Sequence, residues 1–292
     1  MSASTTSGVG LAEAPVRVIE PWKPGTLHRL TETWRYRRLI PFIGMRFLER
    51  RYRNTWLGWL WVPLRPMLDI LTKALLFGGF LSVSSGDRPY IIFFTFGTCG
   101  WIVFDSTNKW AVRGMRISEK FVKNAHAPWL LRLMGVLYPA AFDFLLYLLT
   151  AFIALFYYLF AKGTWYLVPS RQLVVAGLGL LLLVLLGLGL GLLTSPWSVY
   201  SRDVRFTFGY FMQFLYYITP VVYPISQLPP QFQPIAIYNP LTAPVEMVKY
   251  GFLQTAPPKA ASVMVCLITL AVLLPVGIWL FGKFERAAVS RL

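Results

Sequence analysis

Six stretches of this chain stay apolar long enough to cross a bilayer, which takes a helix of about 20 residues. They fall at 57–82, 90–112, 134–160, 171–195, 207–224 and 260–282. The fourth, LVVAGLGLLLLVLLGLGLGLL, is unbroken, and its Gly187 and Gly191 stand four apart, the spacing that lets another helix pack closely. The second is interrupted in its latter half by Asp105, Asn108 and Lys109.

Two regions follow neither the spanning pattern nor that of a simple loop. Over 33–53, TWRYRRLIPFIGMRFLERRYR, Tyr36, Leu39, Ile43 and Phe47 recur at helical spacing. Arg35, Arg38, Arg46, Glu49 and Arg53 fall mostly on another face. That pattern predicts a basic amphipathic helix on the inner leaflet over 31–56, started or kinked by Pro41; an ordinary basic flank also fits. Over 220–256, prolines interrupt a segment too apolar for a free loop. Backbone of that kind is tolerated at membrane depth only inside protein or beside a water-filled cavity, so short re-entrant helices are expected before the last span.

The predicted fold class is therefore an all-α integral membrane protein: six transmembrane helices, an N-terminal interfacial helix and outer re-entrant helices. The domain reading is a disordered cytoplasmic tail at 1–30, a transmembrane domain at 57–284 and a cytoplasmic C-terminus at 285–292. The first 30 residues lack an apolar core of signal-peptide length.

Composition supports this class. Only 14% of the 292 residues are charged and 56% are hydrophobic, against about 25% charged in soluble domains. The net charge of +16 would suggest nucleic acid in a soluble chain. Here the lysines and arginines flank the apolar segments, which argues for a membrane protein with no nucleic-acid partner. With the N-terminus in the cytoplasm, inside segments hold 20 of them and outside segments 5, so both termini are expected inside. Cys99 and Cys266 both lie in apolar segments and suggest no disulfide framework.

Charge inside the spans changes the picture more. Arg65 lies in the first span, where a charge at the centre costs about 2.5–3.5 kcal/mol on insertion scales. Two readings stand: it snorkels to the inner headgroups, with Pro63 and Pro66 marking the true start of the span, or it faces a polar interior. Asp69, Lys73, Asp105, Lys109 and Asp143 also lie in or beside spans, and Asp69 and Lys73 suit an i,i+4 ion pair.

Aromatic residues make up 16% of the chain. Interfacial belts account for most of them, but two clusters are denser than a belt. Trp56, Trp59 and Trp61 crowd the start of the first span. Phe206, Tyr210, Phe214 and Tyr217 form a helical stripe in the fifth, with Gln213 beside it. Such faces suit sugar rings and equally suit core packing.

The sequence has no G-x-x-x-x-G-K-[ST] phosphate loop, no H-E-x-x-H, and only two isolated histidines, His28 and His126. No catalytic or metal-ligating set is expected, and any energy must come from a partner.

Four stretches carry a family resemblance: RRYRNTWLGWLWVPLRPML, ISEKFVKNAHAPWLLRL, YSRDVRFTFGYFMQFLYYITPVVYP and YNPLTAPVEMVKYGFL. Together they resemble the membrane subunits of ABC-2-type polysaccharide exporters, the O-antigen and teichoic acid export permeases, from about Arg35 to the C-terminus. The chain departs from the family at Ala127, Pro128 and Trp129, where a Phe-Pro-Arg-like tripeptide is common, which bears on how it docks.

The resemblance implies a homodimer in a bacterial cytoplasmic membrane, bound to two copies of an ABC ATPase that hold ATP and Mg; this chain binds no cofactor. It implies a channel lined by Trp59, Trp61, Phe206, Tyr210, Gln213, Phe214 and Tyr217. It implies an ATPase coupling segment at 114–126, centred on Ser118, Glu119, Lys120, Phe121, Val122 and Lys123. An outer gate at 225–256 would include Pro230, Phe232 and Tyr238. The cargo would be a polyprenyl-linked glycan, with Arg50, Arg51, Arg53 and Arg65 as candidates for its pyrophosphate or for membrane lipid headgroups. Drug or lipid export is the nearest alternative. A membrane enzyme acting on lipid-linked sugars is the alternative of another class, with Asp203, between Arg202 and Arg205, as its one plausible acid.

Overall fold

The computed structural model describes residues 38–52, 58–86, 88–122, 129–167, 170–200 and 202–289. The N-terminal tail, Arg53 and Lys123 lie outside the described residues. Every described element is helical. They are α1 (Leu39–Tyr52), a 3-10 turn (Gly58–Leu60), α2 (Trp61–Ala74) running into a π-helical turn (Leu75–Phe80), α3 (Tyr90–Val122) and α4 (Trp129–Lys162). Then come α5 (Leu173–Tyr200), α6 (Arg202–Ile218), a 3-10 turn (Ile225–Gln227), α7 (Gln233–Ile237), α8 (Thr242–Leu253) and α9 (Ala260–Val289).

Among the described residues, four helical stretches are long and apolar enough to cross a membrane: Tyr90–Arg113, Met134–Lys162, Leu173–Ser198 and Ala260–Phe284. The first and fifth expected spans are shorter helices bearing charge. The first is α2 with its π turn, 61–80, carrying Arg65, Asp69 and Lys73. The fifth is α6, which starts at Arg202 and ends at Ile218 rather than running to 224, because the chain turns at Thr219 and Pro220.

The interrupted second span proves to be the centre of the bundle. In its most apolar window 83% of the residues are buried, against 11% in that of α9, so α3 contacts protein on nearly all sides while α9 faces outward. Helix α3 packs along both α4 and α5; α5 in turn carries α8 and α9. A core of Phe94, Trp101, Phe104, Leu183, Leu186 and Val248 joins them. Burying polar residues in α3 spares the lipid-facing helices: Asp105, Asn108 and Thr107 are all buried.

Helix α1 packs on α4, with Gly44 set against Tyr138 and Leu48 buried. Its Phe42 and Met45 stay exposed. After α6 the chain forms the broken segment expected from its prolines: the 3-10 turn, short α7 and α8. Helix α8 packs on α5 and α3. A side chain at Gly251 would place Cβ 2.5 Å from Ala176 Cβ, so that seam depends on the missing side chain.

Candidate functional site: a charged cavity behind an aromatic face

The helices α2, α3, α4 and α6 line an open cavity of about 420 Å³. Its charged lining is Arg65, Asp69 and Lys73 from α2 and Asp105 and Lys109 from α3. Each acid pairs with the lysine one turn further along its own helix, Lys73 Nζ to Asp69 Oδ1 at 2.8 Å and Lys109 Nζ to Asp105 Oδ2 at 2.6 Å. The i,i+4 spacing puts both ends of each pair on one face. Tyr147 of α4 donates to Asp69 Oδ2 at 3.2 Å, which ties α4 to α2. The Lys73 ammonium also lies 4.7 Å from the ring centroid of Tyr216 on α6.

An adjoining recess, lined in part by Arg65, Asp105, Ser106 and Asp143, continues between α3 and α4. There Ser106 donates to Asp143 Oδ2 at 2.5 Å, and both residues are buried. Asp143→Ala should lower the thermal midpoint, by about 1–3 kcal/mol of lost stability, because it strands the Ser106 hydroxyl. Asp143→Asn keeps an acceptor and should recover most of that in the same unfolding measurement.

The cavity has a buried floor and an exposed rim. Trp101, Asp105, Met212 and Tyr216 are buried, whereas Arg65, Gly209, Gln213 and Tyr217 are exposed. Trp101 and Tyr216 meet edge to face with centroids 5.1 Å apart. Phe77 in the π turn reaches Tyr217 at 6.2 Å, so α2 and α6 adjoin at this end.

Of the channel and headgroup candidates, Arg65, Gln213 and Tyr217 line the cavity, together with the span charges Asp69, Lys73, Asp105 and Lys109. Arg65 stands exposed on the cavity rim. Trp59, Trp61, Phe206, Tyr210 and Phe214 do not line it. They stand on the outer surface of the 3-10 turn, α2 and α6, and Tyr210 is 74% exposed and Phe214 63%, so this chain's own core does not explain the stripe. Pro230, Phe232 and Tyr238 are exposed in the segment between α6 and α8.

Ser118, Glu119, Lys120, Phe121 and Val122 form the end of α3, so the segment expected for coupling begins as a continuation of the central helix; their side chains lie outside the described residues. Arg50 and Arg51 sit in α1, with side chains likewise outside the description.

Sequence reading missed the device that holds the C-terminal end of α6. Lys249 of α8 is 3% exposed, and its ammonium donates to the carbonyls of Pro220 at 2.5 Å and Val221 at 3.0 Å. It also lies 3.9 Å from the Phe93 ring centroid. Tyr90 donates to the Val222 carbonyl at 2.8 Å, and Asn239 Nδ2 to Thr219 Oγ1 at 2.9 Å. Burial pushes the Lys249 ammonium down to about 7, opposed by Glu246. Burial pushes the Glu246 carboxyl up to about 7, opposed by Lys249 and Lys259. A neutral amine still has two N–H groups, enough for both carbonyls. The only cue in the sequence was a lysine at a position otherwise apolar, one turn after Val245.

A polyhelical membrane protein with a central buried helix, a charged cavity opening on an aromatic face and a strapped segment after α6 has the build of a transporter's membrane domain. The family profile of the ABC-2 type transporter matches residues 38–253, and the chain belongs to that family. It is also similar to the O-antigen export system permease protein RfbA of Myxococcus xanthus, at 23% identity over 197 residues, covering 68% of this chain and 72% of that one.

Proposed function

We propose that the chain is the membrane subunit of an ATP-driven exporter that moves a lipid-linked polysaccharide across the cytoplasmic membrane of a bacterium. Two copies place their α2 and α6 faces together and form the conduit between them. Two ABC ATPase subunits bind beneath, at the end of α3 and the segment that follows, and carry the ATP and Mg. In this reading α2 and α6 complete six crossings with both termini inside, and the 225–256 segment folds back into the outer leaflet.

The observation that carries the proposal is the exposed stripe of Phe206, Tyr210, Phe214 and Tyr217 on α6, next to exposed Trp59 and Trp61. Lipid-facing surfaces are aliphatic away from the interfaces, whereas this stripe runs for three turns and carries two hydroxyls and the exposed Gln213 alongside. Aromatic faces with polar rims hold sugar rings by stacking without fixing them. The name of the Myxococcus xanthus relative points to the same class of cargo. Arg50, Arg51 and Arg53 at the inner end would meet the pyrophosphate of the carrier lipid.

The test is the triple variant Tyr210→Ala, Phe214→Ala, Tyr217→Ala in a cell that displays the polymer. Surface polymer should fall at least tenfold while the amount and thermal midpoint of the purified chain stay unchanged, because all three residues are exposed. Undiminished display would remove the conduit from this face.

A further inference from the structure

The charged cavity holds more cationic than anionic groups, and the surplus has one address. Lys73 and Lys109 are each neutralised by an aspartate of their own helix. Among the described residues no acid lies within ion-pair distance of Arg65. Adding Asp143 and Arg113 from the adjoining recess leaves the balance unchanged, since their charges cancel. One uncompensated positive charge therefore stands on the exposed rim of this cavity.

The neutral lining is equally specific. Gln213 offers an amide at the rim. The buried Tyr216 hydroxyl, close to Thr98, has no hydrogen bond of good geometry. The volume falls within the range of about 300–1,000 Å³ of small-molecule pockets. The rim also has a gap. Gly209 is exposed on α6, and a Cβ there would meet nothing within 4 Å.

We propose that this cavity is a side chamber that binds an oxyanion borne on a hydroxylated ring, with Arg65 as the partner of the anion and Gly209 as the doorway. The ligand is a sugar unit carrying either a carboxylate or a phosphate. A guanidinium matches both oxyanions bidentately, and the paired aspartates and lysines supply acceptors and donors for ring hydroxyls. The chamber makes the transporter selective for units with one negative charge. The proposal rests on the conduit reading only for the route by which the ligand arrives.

The test is equilibrium dialysis of the full-length chain in phosphatidylcholine nanodiscs against labelled glucuronate, glucose 1-phosphate and glucose. At least one anionic sugar should bind saturably, and glucose at least tenfold more weakly. The carboxylate and phosphate arms identify the source of the anion. Arg65→Gln should weaken anion binding at least tenfold. Gly209→Phe should abolish it with the thermal midpoint unchanged, and it decides the matter if Arg65→Gln does not fold. No saturable binding, glucose binding as tightly as the anions, or full binding in Gly209→Phe would overturn the chamber. The Tyr210→Ala, Phe214→Ala double variant, which leaves every cavity-lining residue in place, separates the two readings: it should lose export yet bind the anionic sugar as the parent chain does.

Discussion

Leucine at both Gly187 and Gly191 should leave no folded protein. The two glycines of α5 face α3 at a close approach of the two helices. A Cβ at Gly187 would lie 2.7 Å from the Phe104 carbonyl oxygen, and one at Gly191 would lie 2.5 Å from Ala111 Cβ and 3.1 Å from the Asn108 carbonyl oxygen. These are backbone atoms or atoms fixed to it, so no rotamer change relieves them. Overpacking costs about 1–3 kcal/mol per site in a well-packed core, and here leucine brings three further carbons to each. The only relief is to separate the helices. That would displace α3, whose opposite side holds Asp105 against Lys109 and the cavity. Size-exclusion profiles and thermal unfolding of the purified chain should show aggregate in place of the native peak. Gly177→Leu is the control, on the same helix with nothing within 4 Å of its Cβ. It should keep the native peak, and a native double variant would mean that this seam is not packed as described.

Lys249→Met should have the second largest effect. Methionine fills much of the same volume and cannot donate. The carbonyls of Pro220 and Val221 then lose the ammonium that reaches both. Each unsatisfied buried group costs about 1–3 kcal/mol. The contact with Phe93, worth about 2 kcal/mol when desolvated, goes with them. Gly97→Ala approaches the same contact from the other side. Its Cβ would lie 2.6 Å from Lys249 Cε and 2.8 Å from the Val221 carbonyl oxygen. Both variants should unfold at lower temperature, and both should loosen the turn after α6. Hydrogen exchange over 219–224 should rise in each relative to the parent chain. A parent-like exchange pattern in Lys249→Met would show that the lysine does not hold this turn.

The spans most visible in the sequence were the least informative about the site. Helix α5 reads as a crossing from its unbroken leucines, and the structure gives it the expected length. Helix α3 reads as doubtful because Asp105, Asn108 and Lys109 interrupt it, and for that reason it is the helix kept away from lipid. The rule that polar residues face protein was available from the sequence; which helices surround α3 was not. Arg65 left two readings open on sequence grounds, and only the fold shows that it shares a cavity with charges from α3. Lys249 carried almost no local signal. Its acceptors lie 28 and 29 residues earlier in the chain, in a turn whose course follows from where α6 ends.

The sequence by itself determined the solvent of this protein, the run of apolar segments and the break after the fifth. Those follow from transfer free energies and backbone geometry, which depend on residues near one another in the chain. Only the tertiary structure decided that charges from α2 and α3 share one cavity and that the aromatic stripe of α6 turns away from its own core. It also decided that a lysine of α8 holds the turn beyond that helix. These are contacts between distant segments, fixed by how closely the helices approach, and the glycines on α5 set that approach.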